Sequence, residues 1–208
     1  MSEYAAFDTE TGGVNPKKNP ILTLYMASVN EDLVVVDEID LKILPSLEFS
    51  VIEQEALNVN GIDLQAHLND PNAVTREQAS VIVMEFLKKN SSNKKGKKLK
   101  PLGQNLDFDI NMILSQLVTS EFWEEWVHYQ KYDTMSACLF LKKAGWLPPE
   151  LGSLSSMVKH FEIKQLGAHN AKNDTLMTIK AFEKLLGMLS SKKENVGLTL
   201  DILEALEK

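Results

Sequence analysis

Cysteine is nearly absent from this chain of 208 residues: Cys138 is the only one, so no internal disulfide bond can form. No apolar run approaches the length that a bilayer span requires, and the first residues lack the basic and then apolar segments of a secretory signal. No internal repeat is visible. These absences predict a protein of the reducing cytoplasm without a membrane span.

Positive charge is also scarce, since 22 lysines and arginines face 29 acidic residues and leave a net charge of −7. Such a chain is unlike proteins that grip nucleic acid by bulk electrostatics, although a carboxylate metal site adds negative charge that bound cations cancel. One basic cluster stands out, and it is either a solvated loop or a phosphate-contacting surface. Its members are Lys94, Lys95, Lys97, Lys98 and Lys100.

The N-terminal part of the chain predicts three successive strands. Residues 4–7 form an apolar run that enters the polar segment 8–11, and residues 21–29 and 33–43 carry the β-branched and aliphatic side chains of two more strands. Residues 30–32 form the turn between the second and third strands. This order predicts an antiparallel meander.

The rest of the chain predicts helices that alternate with short strands, and therefore a mixed sheet covered by helices. We expect one α/β domain over residues 1–190 and an appendage over residues 191–208. The appendage is too apolar for a free linker, so it docks either on its own domain or on a protein partner such as a polymerase. The predicted helices cover residues 62–68, 76–89, 108–117, 134–143, 154–161 and 174–189, and the strands residues 99–102 and 127–132.

Two acidic residues follow the first predicted strand. Because side chains alternate along a strand, Asp8 and Glu10 point the same way, about 7 Å apart. Two carboxylates at the end of a buried strand suit a hard divalent cation, and open α/β sheets bind ligands beyond their strand ends. An isolated Asp-x-Glu is more often a polar turn, but the apolar run before this pair favours a site.

A second acidic pair opens the helix predicted over residues 108–117. Asp107 is a candidate for capping the first N–H groups of that helix, which would leave Asp109 available to a metal ion. An acid in the first turn also suits the helix dipole. The spacing alone leaves the assignment of these two residues open.

A third cluster pairs His169 with Asp174. The two residues are five positions apart, so on one helix their side chains would lie on different faces. If both serve one site, His169 must lie before the helix, a position that suits a general base with access to water. The remaining histidines lack an acidic partner of this kind and are interpreted as structural: His67, His128 and His160.

Taken together, the three clusters resemble the ordered motifs of the DEDDh (DnaQ-like) 3′–5′ exonucleases, which include the proofreading subunit of bacterial replicative polymerases. Three ordered motifs are far more specific than any one of them. Weaker markers lie between them in the expected order, and the departures at Gln104 and Gly13 remove no expected metal ligand. The motifs are Asp8-Thr9-Glu10-Thr11-Gly12, Gly103-x-Asn105-x-x-Phe108-Asp109 and His169-x-Ala171-x-x-Asp174, and the markers are Asn60-Gly61-Ile62 and Asp133-Thr134.

This resemblance implies a ribonuclease-H-like fold: a five-stranded mixed sheet, its first three strands antiparallel, with helices on both faces. It implies His169 as the general base and two divalent cations, Mg²⁺ or Mn²⁺. It also implies that the terminal nucleotide contacts Thr9, Ile62 and Phe108, although Phe108 is equally compatible with a core position. The implied metal ligands are Asp8, Glu10, Asp109 and Asp174.

We therefore predict a two-metal-ion exonuclease that acts on single-stranded nucleic acid with a free 3′ end, DNA rather than RNA, and releases 5′-mononucleotides. An RNA-trimming exoribonuclease of the same family is an alternative, as is a catalytically inactive module that binds nucleic acid or associates with a polymerase. A dehalogenase-type phosphatase also begins with a strand and an acidic loop. It expects aspartate where Glu10 stands, however, and gives His169 and Asp174 no joint role.

Overall fold

The computed structural model describes residues 2–91, 97–167 and 170–206, and beyond residue 190 it describes the backbone alone. Within these ranges the chain forms a five-stranded mixed sheet with helices packed on both faces, which confirms the predicted sheet and its layers. None of the described helices is both long enough and apolar enough to span a membrane.

The order of the strands in the sheet is β3-β2-β1-β4-β5. The first three strands, β1 (Ser2–Thr11), β2 (Ile21–Asn30) and β3 (Val35–Lys42), are antiparallel neighbours. Strand β4 (Lys100–Gly103) then pairs parallel with β1, and β5 (Tyr132–Asp133) pairs parallel with β4. The carboxyl ends of β1 and β4 therefore meet at one edge of the sheet, where open α/β sheets bind ligands.

Helices connect and cover the strands, and several begin at residues that cap the helix. At the helix that begins at Arg76, Thr75 and Gln78 form a reciprocal capping box. At the helix that begins at Thr134, the Asp133 carboxylate accepts hydrogen bonds from backbone N–H groups of the first turn. The helices are α1 (Gln54–Asn60), α2 (Leu64–Leu68), α3 (Arg76–Asn90), α4 (Leu106–Gln116), α5 (Ser120–Trp126), α6 (Thr134–Lys143), α7 (Leu154–His160) and α8 (Ala171–Leu206).

Alternate residues of the central strand β1 enter two separate cores. Phe7 belongs to the core that contains Val83 of α3 and Met112 of α4. Tyr4 belongs to the core on the other face, where Phe182 of α8 packs against it. A strand that is buried on both faces must be apolar throughout, which explains the unbroken apolar run before the first acidic residue.

The predictions of secondary structure fail mainly for short elements. The strand predicted over residues 127–132 is wrong for most of its length. Within this range only Tyr132 belongs to a strand, β5, and Val127 makes an isolated bridge to Leu99. Helices α1 and α5 have seven residues each, too few for the sequence to establish a helical period.

The last helix is longer than the pattern over residues 174–189 predicts. Helix α8 spans 36 residues, so its backbone continues without a break past residue 190. The predicted boundary between a domain of residues 1–190 and an appendage of residues 191–208 therefore stays a prediction. The docking of the appendage on a protein partner stays one as well, because its side chains lie outside the described residues.

Gln116 joins helix α4 to the start of β2. Its side chain is 8 % exposed. The Oε1 atom accepts a hydrogen bond from the Ile21 backbone N–H at 3.0 Å, and the Nε2 atom donates one to the Asn19 carbonyl at 3.0 Å. Because buried backbone groups need partners, this amide fixes the point at which the chain enters β2 beside the end of β1.

We expect Gln116→Leu to lower the free energy of unfolding by about 2–4 kcal/mol, because a side chain of similar size would leave two buried backbone groups without a partner. Chemical denaturation monitored by circular dichroism measures this change. The exposed Gln65→Leu is the control and should change stability little. Equal effects of the two substitutions would show that the hydrogen bonds of Gln116 contribute nothing specific.

Candidate active site

Strand β1 carries two acids to the edge of the sheet. Asp8 and Glu10 lie on the same side of the strand, whereas Thr9 and Thr11 point to the other side and are buried. The strand continues to Thr11, so both acids lie on backbone that is hydrogen-bonded to β2 rather than in a loop. Sheet pairing thus sets the separation of the first two carboxylates.

Helix α4 brings a third acid to the same place. The chain turns from β4 into α4 at Asn105, whose φ of 60° is left-handed. Asp109 is 3 % exposed, and its Oδ1 accepts hydrogen bonds from the Thr9 backbone N–H at 2.9 Å and from the Thr9 hydroxyl at 2.6 Å. Asp107 instead lies at the surface in an ion pair with Lys131. The structure therefore directs Asp109 into the site, and Asp107 does not cap the helix.

Helix α8 contributes the fourth acid. Its first residue is Ala171, and the Asp174 backbone N–H donates to the Asn170 carbonyl at 2.9 Å in the first turn. Asp8, Glu10 and Asp174 each place a carboxylate oxygen within 4.8 Å of the others. Asp109 lies beside this group rather than within it. The structure thus brings together, at one edge of the sheet, all four carboxylates that the motifs predicted.

Burial and mutual repulsion disfavour the ionised forms of these acids. Burial, together with the charges of Asp174 and Asp109, raises the pKa of the Glu10 carboxyl to about 8. Burial also raises the pKa of Asp109 to about 7, although the hydrogen bonds from Thr9 act in the opposite direction. Burial raises the pKa of Asp8 well above its usual value, and the charges of the other three acids add to the effect.

This donor set fits divalent cations. Carboxylate oxygens are the ligands that Mg²⁺ and Mn²⁺ prefer, and a cation would replace repulsion among the acids with attraction. Asp8, Glu10 and Asp174 can converge on one ion because their oxygens already lie within 4.8 Å of one another. Asp109 would contribute from the side on which Thr9 holds it.

A cleft of about 440 Å³ opens beside Glu10. Its walls include Thr9 and Phe108, two of the three residues predicted to contact substrate, together with residues of α1. Ile62, the third, is not among the residues that line it. Asn60 lines the cleft instead, and its side chain donates to the Thr11 carbonyl at 3.1 Å and accepts from the Ile62 N–H at 3.1 Å.

Sequence reasoning missed the wall that α1 supplies to the cleft, since that helix was not predicted. Gln104, the departure noted in the second motif, donates to the Gly152 carbonyl at 3.1 Å and accepts from the Thr134 hydroxyl. His169, Lys94 and Lys95 lie outside the described residues, so the general base stays a prediction.

The fold and the carboxylate cluster together define a class, that of the nucleases built on a ribonuclease-H-like sheet. A family model described as "Exonuclease" (RNase T) matches residues 5–182. The chain belongs to this exonuclease family, which confirms the resemblance to the DEDDh (DnaQ-like) enzymes. A comparison of the sequence with curated proteins finds no significant match.

Solved structures of exonuclease I share this fold. The zinc-bound complex of Escherichia coli exonuclease I with single-stranded DNA has a TM-score of 0.70 at 16 % identity, over 96 % of this chain and 43 % of that one. Exonuclease I from Methylocaldum szegediense has a TM-score of 0.68 at 17 % identity, over 89 % and 40 %. This chain therefore spans less than half the length of these two proteins.

We expect the metal-free protein to lose stability as the pH rises. The raised pKa values of Glu10 and Asp109 mean that the folded protein binds more protons than the unfolded chain between about pH 5 and about pH 8, so stability falls across this interval. The measurement is Tm against pH in EDTA and in excess Mg²⁺. The cation should remove the decline, and Glu10→Gln should weaken it in EDTA. The same slope in all three samples would contradict the assignment.

Proposed function

We propose that this protein is a two-metal-ion 3′–5′ exonuclease that removes 5′-mononucleotides from single-stranded DNA. The observation that carries the proposal is the convergence of Asp8, Glu10 and Asp174 beside Asp109, next to a cleft that one of these acids lines. Carboxylates that repel one another are costly to a fold, and a site that keeps four of them close together is typical of cation-dependent chemistry.

When bound, two divalent cations would activate a water molecule and stabilise the leaving oxygen of the phosphodiester. The side chains of the protein hold and orient these groups. Asp8 and Glu10 are fixed by the sheet, and Asp109 is fixed by two hydrogen bonds from Thr9. His169, which precedes α8, would accept the proton of the attacking water. The bond from phosphorus to the 3′ oxygen of the preceding nucleotide then breaks, and the terminal 5′-mononucleotide is released.

The cleft beside Glu10 supports attack at a chain end. Its volume of about 440 Å³ lies at the lower end of the range for small-molecule pockets, which suits one nucleotide better than a continuous strand. Thr9 and Phe108 would contact the sugar and base of that nucleotide. Glu53 and Glu55 also line the cleft. Their negative charge would repel a terminal 3′-phosphate but not a neutral 3′-hydroxyl.

DNA is the first substrate to test, and RNA is the alternative. The similar structures are of exonuclease I, and several of them hold single-stranded DNA oligonucleotides. That likeness is one of fold alone, so the preference for DNA has to be measured on this chain. A comparison of DNA and RNA strands of one sequence, at equal metal concentration, decides between them.

We expect a 5′-labelled oligonucleotide to shorten from its 3′ end, one nucleotide at a time, with Mn²⁺ and not with EDTA. Asp109→Asn should lower the rate at least about 100-fold, because it removes a charge from the site. Asp107→Asn is the matched control, because it removes a carboxylate two residues away that faces solvent, and it should keep most of the activity. A sequencing gel over time measures both rates.

Four outcomes of the same assay would contradict the proposal. Internal cuts at the earliest times would indicate an endonuclease, and shortening from the 5′ end would reverse the polarity. A substrate with a 3′-phosphate that loses only the phosphate would indicate a phosphatase. The absence of any reaction with all strands and metals would indicate an inactive binding module.

A general base at His169 predicts that the cleavage rate rises with pH through the imidazole pKa, about 6.5 when unperturbed, because only the neutral ring accepts a proton. His169→Ala should lower the rate about 100-fold or more and flatten the profile. Single-turnover rates at saturating Mn²⁺ are the measurement, since the metal ligands are then ionised throughout. A rise that persists in the variant would assign the pH dependence to another group.

A further inference from the structure

Asp174 differs from Asp8 and Glu10 in how its position is determined. The two strand acids lie on one segment of backbone that is paired with β2 over its length. Asp174 lies in the first turn of α8, and its distance to the strand acids depends on how that turn is held against the sheet. Repulsion among the carboxylates acts to push the turn away when no cation is bound.

Among the described side chains of α8, those of the first turn make few apolar contacts. Ile179 and Phe182 pack into the core against Tyr4 and Tyr25, and they lie one to two turns after Asp174. Before Asp174, only the small side chain of Ala171 is buried in that core. Apolar packing therefore anchors the middle of the helix more firmly than the turn that carries the acid.

A three-residue contact, formed by Tyr25, Glu38 and Lys172, holds the first turn. The Lys172 Nζ atom donates to Glu38 Oε1 at 2.6 Å, and the Tyr25 hydroxyl donates to Glu38 Oε2 at 2.6 Å. The Lys172 Nζ atom also lies 5.2 Å from the centre of the Tyr25 ring. Both oxygens of one carboxylate are thus used to join α8 to β2 and β3.

The place of this contact in the sheet connects it to the acids. Tyr25 is the antiparallel partner of Asp8 in the register of β1 and β2, and Lys172 is two residues from Asp174. Asp8 is therefore connected to Asp174 by its pairing with Tyr25, by the three-residue contact and by the half helical turn that follows Lys172. Tyr25 is fully buried and cannot follow a moving helix, so it serves as a fixed reference for Lys172.

We propose that the contact formed by Tyr25, Glu38 and Lys172 positions Asp174 for cation binding. The inference rests on the proposed function, because it assigns these residues a role in assembling the metal site of that enzyme. They are positioning residues, which act on the metal site through Asp174. Substituting them should reduce the favourable free energy of cation binding by more than it lowers the free energy of unfolding.

The sign of the effect separates positioning from simple electrostatics. Lys172→Met removes a positive charge near a cation site, so long-range electrostatics alone would tighten the binding of Mn²⁺. Positioning predicts the opposite. We expect the dissociation constant for Mn²⁺ to rise about three- to tenfold, below the effect of removing a direct hydrogen-bond partner of a ligand. Lys172→Arg keeps the contact and should stay close to the wild type.

The matched control is Lys89→Met. Lys89 of α3 pairs with Asp37, the neighbour of Glu38 in β3, at 2.9 Å. This control removes the same charge and an ion pair between a helix and the same strand, but α3 carries none of the four acids. It should change the affinity for Mn²⁺ less than twofold, even if it lowers Tm as much as Lys172→Met does.

The experiment titrates Mn²⁺ into each protein without nucleic acid and follows the electron paramagnetic resonance signal of the free ion. The variant Glu10→Gln shows which of the bound ions lie at the carboxylate cluster. Cleavage rates against Mn²⁺ concentration are measured in parallel, and in Lys172→Met most of the lost rate should return at high Mn²⁺. Lys172→Gln repeats the test should the first variant be unstable. Affinity equal to or tighter than that of the wild type in either folded variant overturns the proposal.

The two proposals fail in different ways. If the wild type binds Mn²⁺ but cuts no strand, the proposed function is wrong, and the titrations still decide the role of Lys172. If the wild type cuts nucleic acid while Lys172→Met binds Mn²⁺ normally, the contact is only structural. If the wild type neither binds Mn²⁺ nor cuts, both are wrong.

Discussion

Repulsion among four partly or wholly buried carboxylates is the constraint on which the site depends. Asp8 and Glu10 lie on one strand segment whose backbone is paired with β2, so the sheet limits how far they can move apart. Thr9 holds Asp109 through two hydrogen bonds, and the first turn of α8 holds Asp174. The free energy that burial and packing supply elsewhere must offset this repulsion until cations bind, as is common at functional sites.

The architecture meets this constraint by placing the acids at the end of its central strand. β1 lies in the middle of the sheet, and its side chains enter the α3 and α4 core on one face and the α8 core on the other. The helices that add Asp109 and Asp174 pack on opposite faces of this strand. A shift of either helix would change the spacing of the carboxylates directly. Contacts that hold the ends of these helices therefore affect the site even when they lie outside it.

Part of the negative charge of the chain lies at this site. The cleft beside Glu10 is also lined by Glu53 and Glu55, so a phosphate chain would approach a negative surface in the absence of cations. Bound cations would neutralise the four carboxylates, and binding of a polyanion would then depend on the metal. Binding and catalysis would then respond to the same ions, and a net charge of −7 is compatible with a nuclease.

The sequence by itself determined the three N-terminal strands, most helices and the four acids, because side-chain periodicity and short motifs are local properties of the chain. Spacing alone left the choice between Asp107 and Asp109 open, although the resemblance to the exonuclease motifs favoured Asp109. The sequence missed α1 and the cleft wall that this helix forms. Only the tertiary structure decided these points: Asp109 faces Thr9 across 100 positions of sequence, and Lys172 meets Glu38 across 134. No local pattern records such contacts, because packing of helices on the two faces of the sheet is what brings these side chains together.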